Sequence, residues 1–227
     1  MNNTYLQYSQ TDTGDNPETS IIWMHGLGDH GSSFIPLVRE FDLTGCPPIR
    51  FIFPHAPERP ITANAGYPMR AWFDIYNGFD DADMEDSEGV AESQRLITGL
   101  IEQEKKRGVP SDRILLAGFS QGCAMALYTG LCYPEKLAGI IGLSGYMPLI
   151  YSFPDDRNPV NQNTPIFMAH GTQDEVVPFS RGEDTMKLLT SLGYNVDWNA
   201  YQMSHTMSMN EVIDLGNWLR QILAAGS

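Results

Sequence analysis

Short apolar runs alternate with amphipathic segments along most of this chain. The runs are too brief for helices and end in Gly, Pro or His-Gly, which predicts strands buried on both faces of a sheet. They cover residues 21–24, 49–53, 114–117, 137–143 and 166–169. The alternation of apolar and polar residues from Val196 to Tyr201 predicts a further strand nearer the sheet edge, and Tyr5 to Tyr8 an antiparallel first strand.

The segments between these runs carry apolar residues at helical spacing. The predicted helices comprise a stripe from Phe34 to Phe41, a stripe from Val90 to Ile101, residues 121–132, residues 181–193, and a last helix starting at Ser208, where Glu211 completes a capping box. Strands that alternate with helices predict an α/β fold with a mostly parallel sheet and helices on both faces. Ligands of such sheets bind outside the carboxyl ends of the strands.

Composition narrows the class of protein. The 227 residues are 42% hydrophobic and contain no repeat or linker, so we expect one domain over residues 1–227. The formal charge of -14 disfavours nucleic acid and anionic membrane surfaces as partners.

The cysteines and the first residues bear on the compartment. An odd set of three cysteines is more typical of free thiols in a reducing compartment than of a disulfide framework. The first residues lack the pattern of a signal peptide, and the longest apolar stretch, residues 137–150, is interrupted by Gly and Pro. We expect a cytoplasmic protein without stable membrane insertion.

Two groups of residues were candidates for cation binding. The acidic residues between Asp80 and Glu88 lack the spacing of a calcium loop, which favours a solvated loop at a helix N-terminus. His25, Asp29 and His30 resemble part of a binuclear zinc motif, but the position of its further histidine is Leu27. The sequence therefore predicts neither a metal nor another cofactor.

The strongest chemical signal is the pentapeptide Gly118 to Gly122, which reads G-F-S-Q-G. It follows a predicted buried strand and precedes a predicted helix, the setting in which G-x-S-x-G forms a nucleophile elbow. A sharp turn there exposes the serine hydroxyl above the sheet, and side chains at the flanking glycines would collide with neighbouring backbone. Ser120 is thus the predicted nucleophile.

A serine nucleophile needs a base and an orienting carboxylate, which follow it in the order acid, then histidine, in this kind of fold. Two of the five histidines, His170 and His205, come after Ser120. His205 is preferred because it lies between a predicted strand and the capped last helix, and His170 is the alternative. The acid is expected after the strand 166–169, where spacing favours Asp174 over Glu175 without deciding between them.

Acyl transfer also requires donors for the negative oxygen that develops on the attacked carbonyl. The N–H of Gln121, the residue after the nucleophile, is one candidate. The glycine-rich loop after the strand 21–24 offers the N–H of Leu27 as the other.

These motifs resemble those of the acyl-protein thioesterase and carboxylesterase family of the α/β-hydrolase fold. Similar blocks follow in the same order over nearly the whole chain, at residues 23–29, 53–57, 71–75, 118–122, 143–149, 170–174, 177–178 and 201–205. The resemblance implies that Ser120 is the nucleophile, Asp174 the acid and His205 the base, with Leu27 and Gln121 as oxyanion donors and no cofactor.

The same resemblance suggests an apolar acyl groove lined by Trp72, Phe73, Met147 and Leu149. Ordinary core packing is an equal explanation for Trp72 and the better one for Phe73. The chain departs from the family pattern at Cys123 and Ser204, where glycine is common. We expect Cys123 to be a small buried apolar residue.

The predicted function is hydrolysis of carboxylic esters or thioesters through an acyl intermediate on Ser120. The expected partner is a small ester or acyl-thioester substrate, with an acylated protein as a further candidate, and the chain is expected to be a monomer or weak homodimer. A lysophospholipase using the same residues is the alternative. A non-catalytic binding protein on an α/β-hydrolase scaffold is less favoured, because no member of the triad is missing.

Overall fold

A twisted sheet of seven strands organises the computed structural model, which describes residues 6–78 and 85–224. Its strands are β1 Tyr8–Asp12, β2 Thr19–Met24, β3 Ile49–Pro54, β6 Ile114–Phe119, β7 Gly139–Leu143, β8 Ile166–Gly171 and β9 Val196–Tyr201. The strand order is β1-β3-β2-β6-β7-β8-β9, and neighbours pair in parallel except for β1, which is antiparallel to β3. A separate hairpin joins β4 Glu58–Ile61 to β5 Tyr67–Arg70.

Helices occupy the connections between the strands. They are α1 Ser87–Lys106, α2 Gln121–Cys132, α3 Phe153–Asp156, α4 Phe179–Ser191 and α5 Met209–Ala224, with a 3-10 helix at Gly31–Arg39 and shorter 3-10 turns elsewhere. The mostly parallel sheet with helices confirms the predicted α/β-hydrolase fold class. At the start of α5, Ser208 and Glu211 exchange the two bonds of the predicted capping box, each 3.2 Å long.

Two predictions needed correction, and one element was missed. The first strand begins at Tyr8 rather than ending there, because residues 8–12 pair with β3, while Tyr5 lies outside the described residues. The stripe from Phe34 forms a 3-10 helix that ends at Arg39, since Pro36 has no N–H for an α-helical bond. The hairpin β4–β5 was not predicted. Of the acidic segment, residues 80, 81 and 83 also lie outside the described residues.

The sheet separates two apolar layers. In β2, Ile22 and Met24 pack into the layer that contains α1 and α2, and Ile21 and Trp23 face the layer that contains α5 and the 3-10 helix. All four side chains are buried, which accounts for the continuous apolar run in the sequence. In the part of the chain that the structure describes, no helix has both the length and the apolar character to cross a membrane.

Candidate active site

Ser120 sits on the turn between β6 and α2 in a backbone conformation that side-chain-bearing residues rarely adopt. Its φ is 56° and its ψ is −121°. The turn is tight: a Cβ on Gly118 would lie 2.1 Å from the carbonyl oxygen of Gly122, and a Cβ on Gly122 would lie 2.2 Å from that of Met24. Only glycine fits at both positions, as expected for a nucleophile elbow. Such local strain is typical of functional residues.

The structure brings Ser120, His205 and Asp174 together at the carboxyl end of the sheet. His205 lies in the loop after β9, and its Nε2 is 3.0 Å from Ser120 Oγ. Its Nδ1 is 2.7 Å from Oδ2 of Asp174, which follows β8. An ionised carboxylate only accepts hydrogen bonds, so Nδ1 carries the proton and Nε2 is free to accept the serine proton. The arrangement has the geometry of a serine–histidine–acid triad.

The carboxylate of Asp174 is fixed from its other side. Its Oδ1 accepts hydrogen bonds from the backbone N–H groups of Val176 and Val177, both at 2.9 Å. The side chain is fully shielded from solvent. Glu175, the other candidate acid, points to solvent. These two hydrogen bonds hold the orientation of the carboxylate toward His205.

His170, the alternative base, lies behind the acid and not beside the nucleophile. Its Nε2 is 3.0 Å from the carbonyl oxygen of Val177 and 3.4 Å from Oδ2 of Asp174. The ring is buried, and this burial lowers the pKa of His170 below the ordinary histidine value. The neutral ring therefore donates its Nε2–H to the carbonyl of Val177.

His25 holds the loop that carries Leu27, the first predicted oxyanion donor. Its Nε2 accepts a hydrogen bond of 3.0 Å from the N–H of Ala56, so the ring proton must reside on Nδ1, which donates to the carbonyl of Gly26 at 2.7 Å. In a trans peptide the C=O and the next N–H point in opposite directions. Holding the Gly26 carbonyl toward His25 therefore turns the Leu27 N–H away from it. Burial lowers the pKa of His25 to about 4, so the ring remains neutral near pH 7.

The second predicted donor, Gln121, begins helix α2 directly after Ser120, so its N–H has no partner four residues earlier in the helix. The sequence did not predict the hydrogen bonds that the Gln121 side chain makes. The amide accepts a 2.8 Å hydrogen bond from the N–H of Trp72 and donates a 2.7 Å bond to the carbonyl of Phe73. The indole of Trp72 in turn donates to the carbonyl of His25 at 2.9 Å. These hydrogen bonds connect segment 71–73 to the turn that carries Ser120 and to the loop that begins at His25.

The burial of the predicted groove residues changes their interpretation. Trp72, Phe73 and Met147 are at most 1% exposed, and none of them borders the cavities described next. They support the site from the core. Leu149 is half-buried, and its N–H donates to the Glu85 carboxylate. It is also absent from the lining of both cavities.

Two adjoining cavities open at the triad. The first, here called the serine cavity, has a volume of about 320 Å³, and the second, the histidine groove, about 330 Å³. The serine cavity is lined by Gly26, Leu27, Asp29, Phe34, Phe119, Ser120, Val176 and His205. The histidine groove is lined by Ser33, Phe34, Leu37, Phe119, His205, Thr206 and Met207. Both share Phe34 and Phe119, which the sequence did not single out as site residues.

The residues that resemble part of a zinc motif, His25, Asp29 and His30, make hydrogen bonds within their own loop and to the backbone nearby. His25 uses both ring nitrogens on backbone groups, and Asp29 Oδ1 accepts from the N–H of His30 at 2.8 Å and from the hydroxyl of Ser33. Within residues 6–78 and 85–224, no three His, Cys, Asp or Glu side chains are grouped so that they could hold a metal ion.

The whole chain is similar to known enzymes. The sequence profile of the phospholipase/carboxylesterase family matches residues 8–223. Acyl-protein thioesterase 1 of Yarrowia lipolytica is 39% identical over 206 residues, which cover 89% of this chain and 91% of the relative. The protein of the same name from Gibberella zeae is 40% identical over 90% of each chain. The crystal structure of Zea mays acyl-protein thioesterase 2 matches 96% of this chain and 100% of its own, with a TM-score of 0.85 and 30% identity. This chain therefore belongs to the phospholipase/carboxylesterase family of α/β-hydrolase-fold serine esterases.

Proposed function

We propose that this enzyme hydrolyses carboxylic esters or thioesters through an acyl intermediate on Ser120. One observation carries the proposal: the His205 ring lies between Ser120 Oγ at 3.0 Å and Asp174 Oδ2 at 2.7 Å. A serine hydroxyl becomes a competent nucleophile when a base of this orientation takes its proton.

In the first half of the reaction, His205 Nε2 takes the proton of Ser120 as Oγ attacks the substrate carbonyl carbon. The carbonyl oxygen becomes negative and accepts hydrogen bonds from the N–H groups of Leu27 and Gln121. Asp174 stays ionised and stabilises the imidazolium. When the bond to the leaving oxygen or sulfur breaks, His205 gives its proton to that atom, which leaves an ester of Ser120.

In the second half, a water molecule attacks the acyl carbon while His205 takes one of its protons. The bond between the acyl carbon and Ser120 Oγ then breaks, and His205 returns the proton to the serine. The products are a carboxylic acid and an alcohol or thiol, and the enzyme is restored.

The proposed substrate is a small ester or an acyl thioester, and the names of the fungal relatives add an acylated protein as a further candidate. Lysophospholipid is the weaker alternative, since neither cavity lining includes a Lys or Arg to pair with a phosphate.

We also propose that the chain acts as one domain, as a monomer or weak homodimer, in the cytoplasm. Free thiols at Cys46, Cys123 and Cys132 support a reducing compartment.

Labelling with a fluorophosphonate probe tests the nucleophile. The wild type is expected to be labelled and Ser120→Ala is not, whereas Ser180→Ala, an exposed serine on α4, serves as a matched control that labels fully. On a nitrophenyl ester and an acyl thioester, His205→Ala and Asp174→Asn are expected to lower kcat by about 10⁴-fold while circular dichroism stays unchanged. Equal labelling of Ser120→Ala, or full turnover of a folded His205→Ala variant, would refute the proposal.

A further inference from the structure

The histidine groove borders the base but not the nucleophile, since its lining includes His205 and lacks Ser120. It shares Phe34, Phe119 and His205 with the serine cavity, then continues along Leu37 and Met207 without reaching Ser120. The ring centroids of Phe119 and His205 are 4.8 Å apart, and those of Phe34 and Phe119 are 6.2 Å apart. Aromatic rings thus form a continuous apolar wall from the base into the groove.

The triad geometry determines which part of a substrate meets this wall. In the tetrahedral intermediate, the oxyanion must face the N–H groups beside Leu27 and Gln121. The leaving atom must come within hydrogen-bond distance of His205 Nε2, because that atom supplies its proton. The remainder of the leaving group therefore extends from the serine cavity past His205, where the groove begins.

We propose that the histidine groove binds the leaving alcohol or thiol of the substrate and selects one whose carbon chain is apolar and uncharged. The inference rests on the proposed function and adds a second subsite to it. The acyl group, which is the remaining substituent of the same carbon, extends from the serine cavity in the other direction.

The side chains of the groove match that occupant. Phe34, Leu37, Phe119 and Met207 provide the contact surface, and Ser33 and Thr206 are exposed at its rim. Among the residues that the structure describes, no Asp, Glu, Lys or Arg lines it. A volume of about 330 Å³ is within the range of small-molecule sites and accommodates an alkyl chain of several carbons.

Charge strengthens the selection. Asp29 is the carboxylate in the lining of the adjoining serine cavity, and the chain as a whole carries a formal charge of -14. An anionic leaving group would approach like charge and, among the described residues, would meet no Lys or Arg in either lining, which disfavours its binding. An apolar chain gains from leaving water in proportion to the area that it buries.

A matrix of esters separates this subsite from the acyl subsite. One series keeps the acyl group constant and changes the alcohol from ethanol to butanol to hexanol, whose leaving oxygens are almost equally acidic. The other series keeps ethanol and lengthens the acid from butanoic to hexanoic to octanoic. For the wild type, kcat/KM is expected to increase about two- to fourfold for each methylene added to the alcohol. A hexyl ester should exceed the matching 5-carboxypentyl ester by about tenfold or more.

Leu37→Ala and Met207→Ala test the location of the effect, with Val160→Ala, exposed and outside both cavities, as the matched control. Both groove variants are expected to reduce the hexyl-to-ethyl ratio by about threefold or more and to leave the octanoate-to-butanoate ratio at the wild-type value. Leu37→Asn, which keeps the side-chain size and adds polarity, should reduce the first ratio at least as much.

The opposite pattern, in which the groove variants change the acid-length ratio and not the alcohol-length ratio, would show that the groove holds the acyl chain and would overturn the inference. Equal or better turnover of the 5-carboxypentyl ester by the wild type would also overturn it, and this comparison needs no variant to fold. If the wild type hydrolyses none of the esters and takes no fluorophosphonate label, the proposed function itself has failed.

Discussion

Oδ2 of Asp174 lies between two imidazole rings, 2.7 Å from Nδ1 of His205 and 3.4 Å from Nε2 of His170. Only the first ring faces the nucleophile. The second is buried and packs so closely against α4 that a Cβ on Gly182 would lie 2.4 Å from its Nδ1. Because it also approaches the Val177 carbonyl at 3.0 Å, it connects the acid to the loop that holds it. We therefore assign His170 as a positioning residue.

Replacing His170 by Phe keeps a buried ring and removes the N–H near the carboxylate. The variant loses the neutral hydrogen bond to the Val177 carbonyl, which contributes about 1 kcal/mol, so we expect kcat to fall about fivefold with little change in KM. His170→Gln, which retains an N–H, should recover part of the loss, and exposed His30→Asn is the control. Steady-state kinetics with a nitrophenyl ester measures both parameters. Wild-type kcat in a folded His170→Phe variant would contradict the assignment.

His25 makes a corresponding connection on the oxyanion side. Without the 2.7 Å bond from His25, the Gly26 carbonyl keeps only a 3.3 Å bond from the N–H of Asp29, so the following peptide, which carries the N–H of Leu27, is held less firmly. Losing an oxyanion donor costs about 10²- to 10³-fold in kcat, so His25→Phe, which misaligns one donor, is expected to lower kcat about 10- to 100-fold.

The KM of His25→Phe should change little, because the oxyanion forms only in the transition state. His55→Gln is a suitable control, since His55 accepts a bond from Gly31 and does not contact Gly26. Equal losses in kcat and in thermal stability for both variants would indicate a general structural effect and not an oxyanion effect.

Local patterns carried most of the sequence-based prediction. The elbow at Ser120 depends on five consecutive residues and their flanking elements, so its form followed from the sequence. The strands followed from apolar runs that must be buried on both faces. The base and acid depended on chain order, and spacing alone left Glu175 beside Asp174. The fold class was confirmed, and His205 lies within hydrogen-bond distance of both Ser120 and Asp174, whereas the roles of Leu27 and Gln121 stay predictions.

What the sequence did not predict depends on contacts between distant segments. Trp72 has the same apolar character whether it lines a groove or supports it. Its buried position is fixed by hydrogen bonds to the Gln121 side chain and to the His25 carbonyl, which are distant from it in the sequence. The histidine groove combines Phe34, Phe119 and Met207 from three separate segments. No spacing rule in the sequence relates these positions.

Cys123 fills space that glycines leave open. A Cβ added to Gly145 would lie 2.5 Å from the Cβ and 2.7 Å from the Sγ of Cys123. A Cβ added to Gly142 would lie 2.9 Å from the same Sγ. The thiol is fully buried, which raises its pKa and suppresses the thiolate. We expect Cys123→Ala to lower the free energy of unfolding by about 1 kcal/mol and to leave kcat within about twofold of the wild type.

Cys123→Val should destabilise more, by about 1–3 kcal/mol, because the added methyl group meets the same glycines. Urea unfolding gives both values. Native protein treated with iodoacetamide should remain unmodified at Cys123 by mass spectrometry. Rapid alkylation there, accompanied by loss of activity, would instead favour a second nucleophile.

Glu211 makes the stability of the fold depend on pH. Its carboxyl group is buried in the capping box, where burial raises its pKa to about 7. The folded protein therefore holds this proton up to a higher pH than the unfolded chain, whose value is 4.5. The resulting stabilisation is complete below about pH 4.5 and is lost as the pH rises through about 7.

Glu211→Gln keeps an acceptor for the Ser208 N–H and removes the titration. Relative to this variant, the wild type should lose about 2–3 kcal/mol of unfolding free energy between about pH 4.5 and pH 8. Urea unfolding at both pH values measures the difference, and Asp184→Asn, an exposed carboxylate on α4, is the control. Because the cap persists in Glu211→Gln, a wild-type–variant difference that is the same at both pH values would mean that folding does not raise the pKa of Glu211.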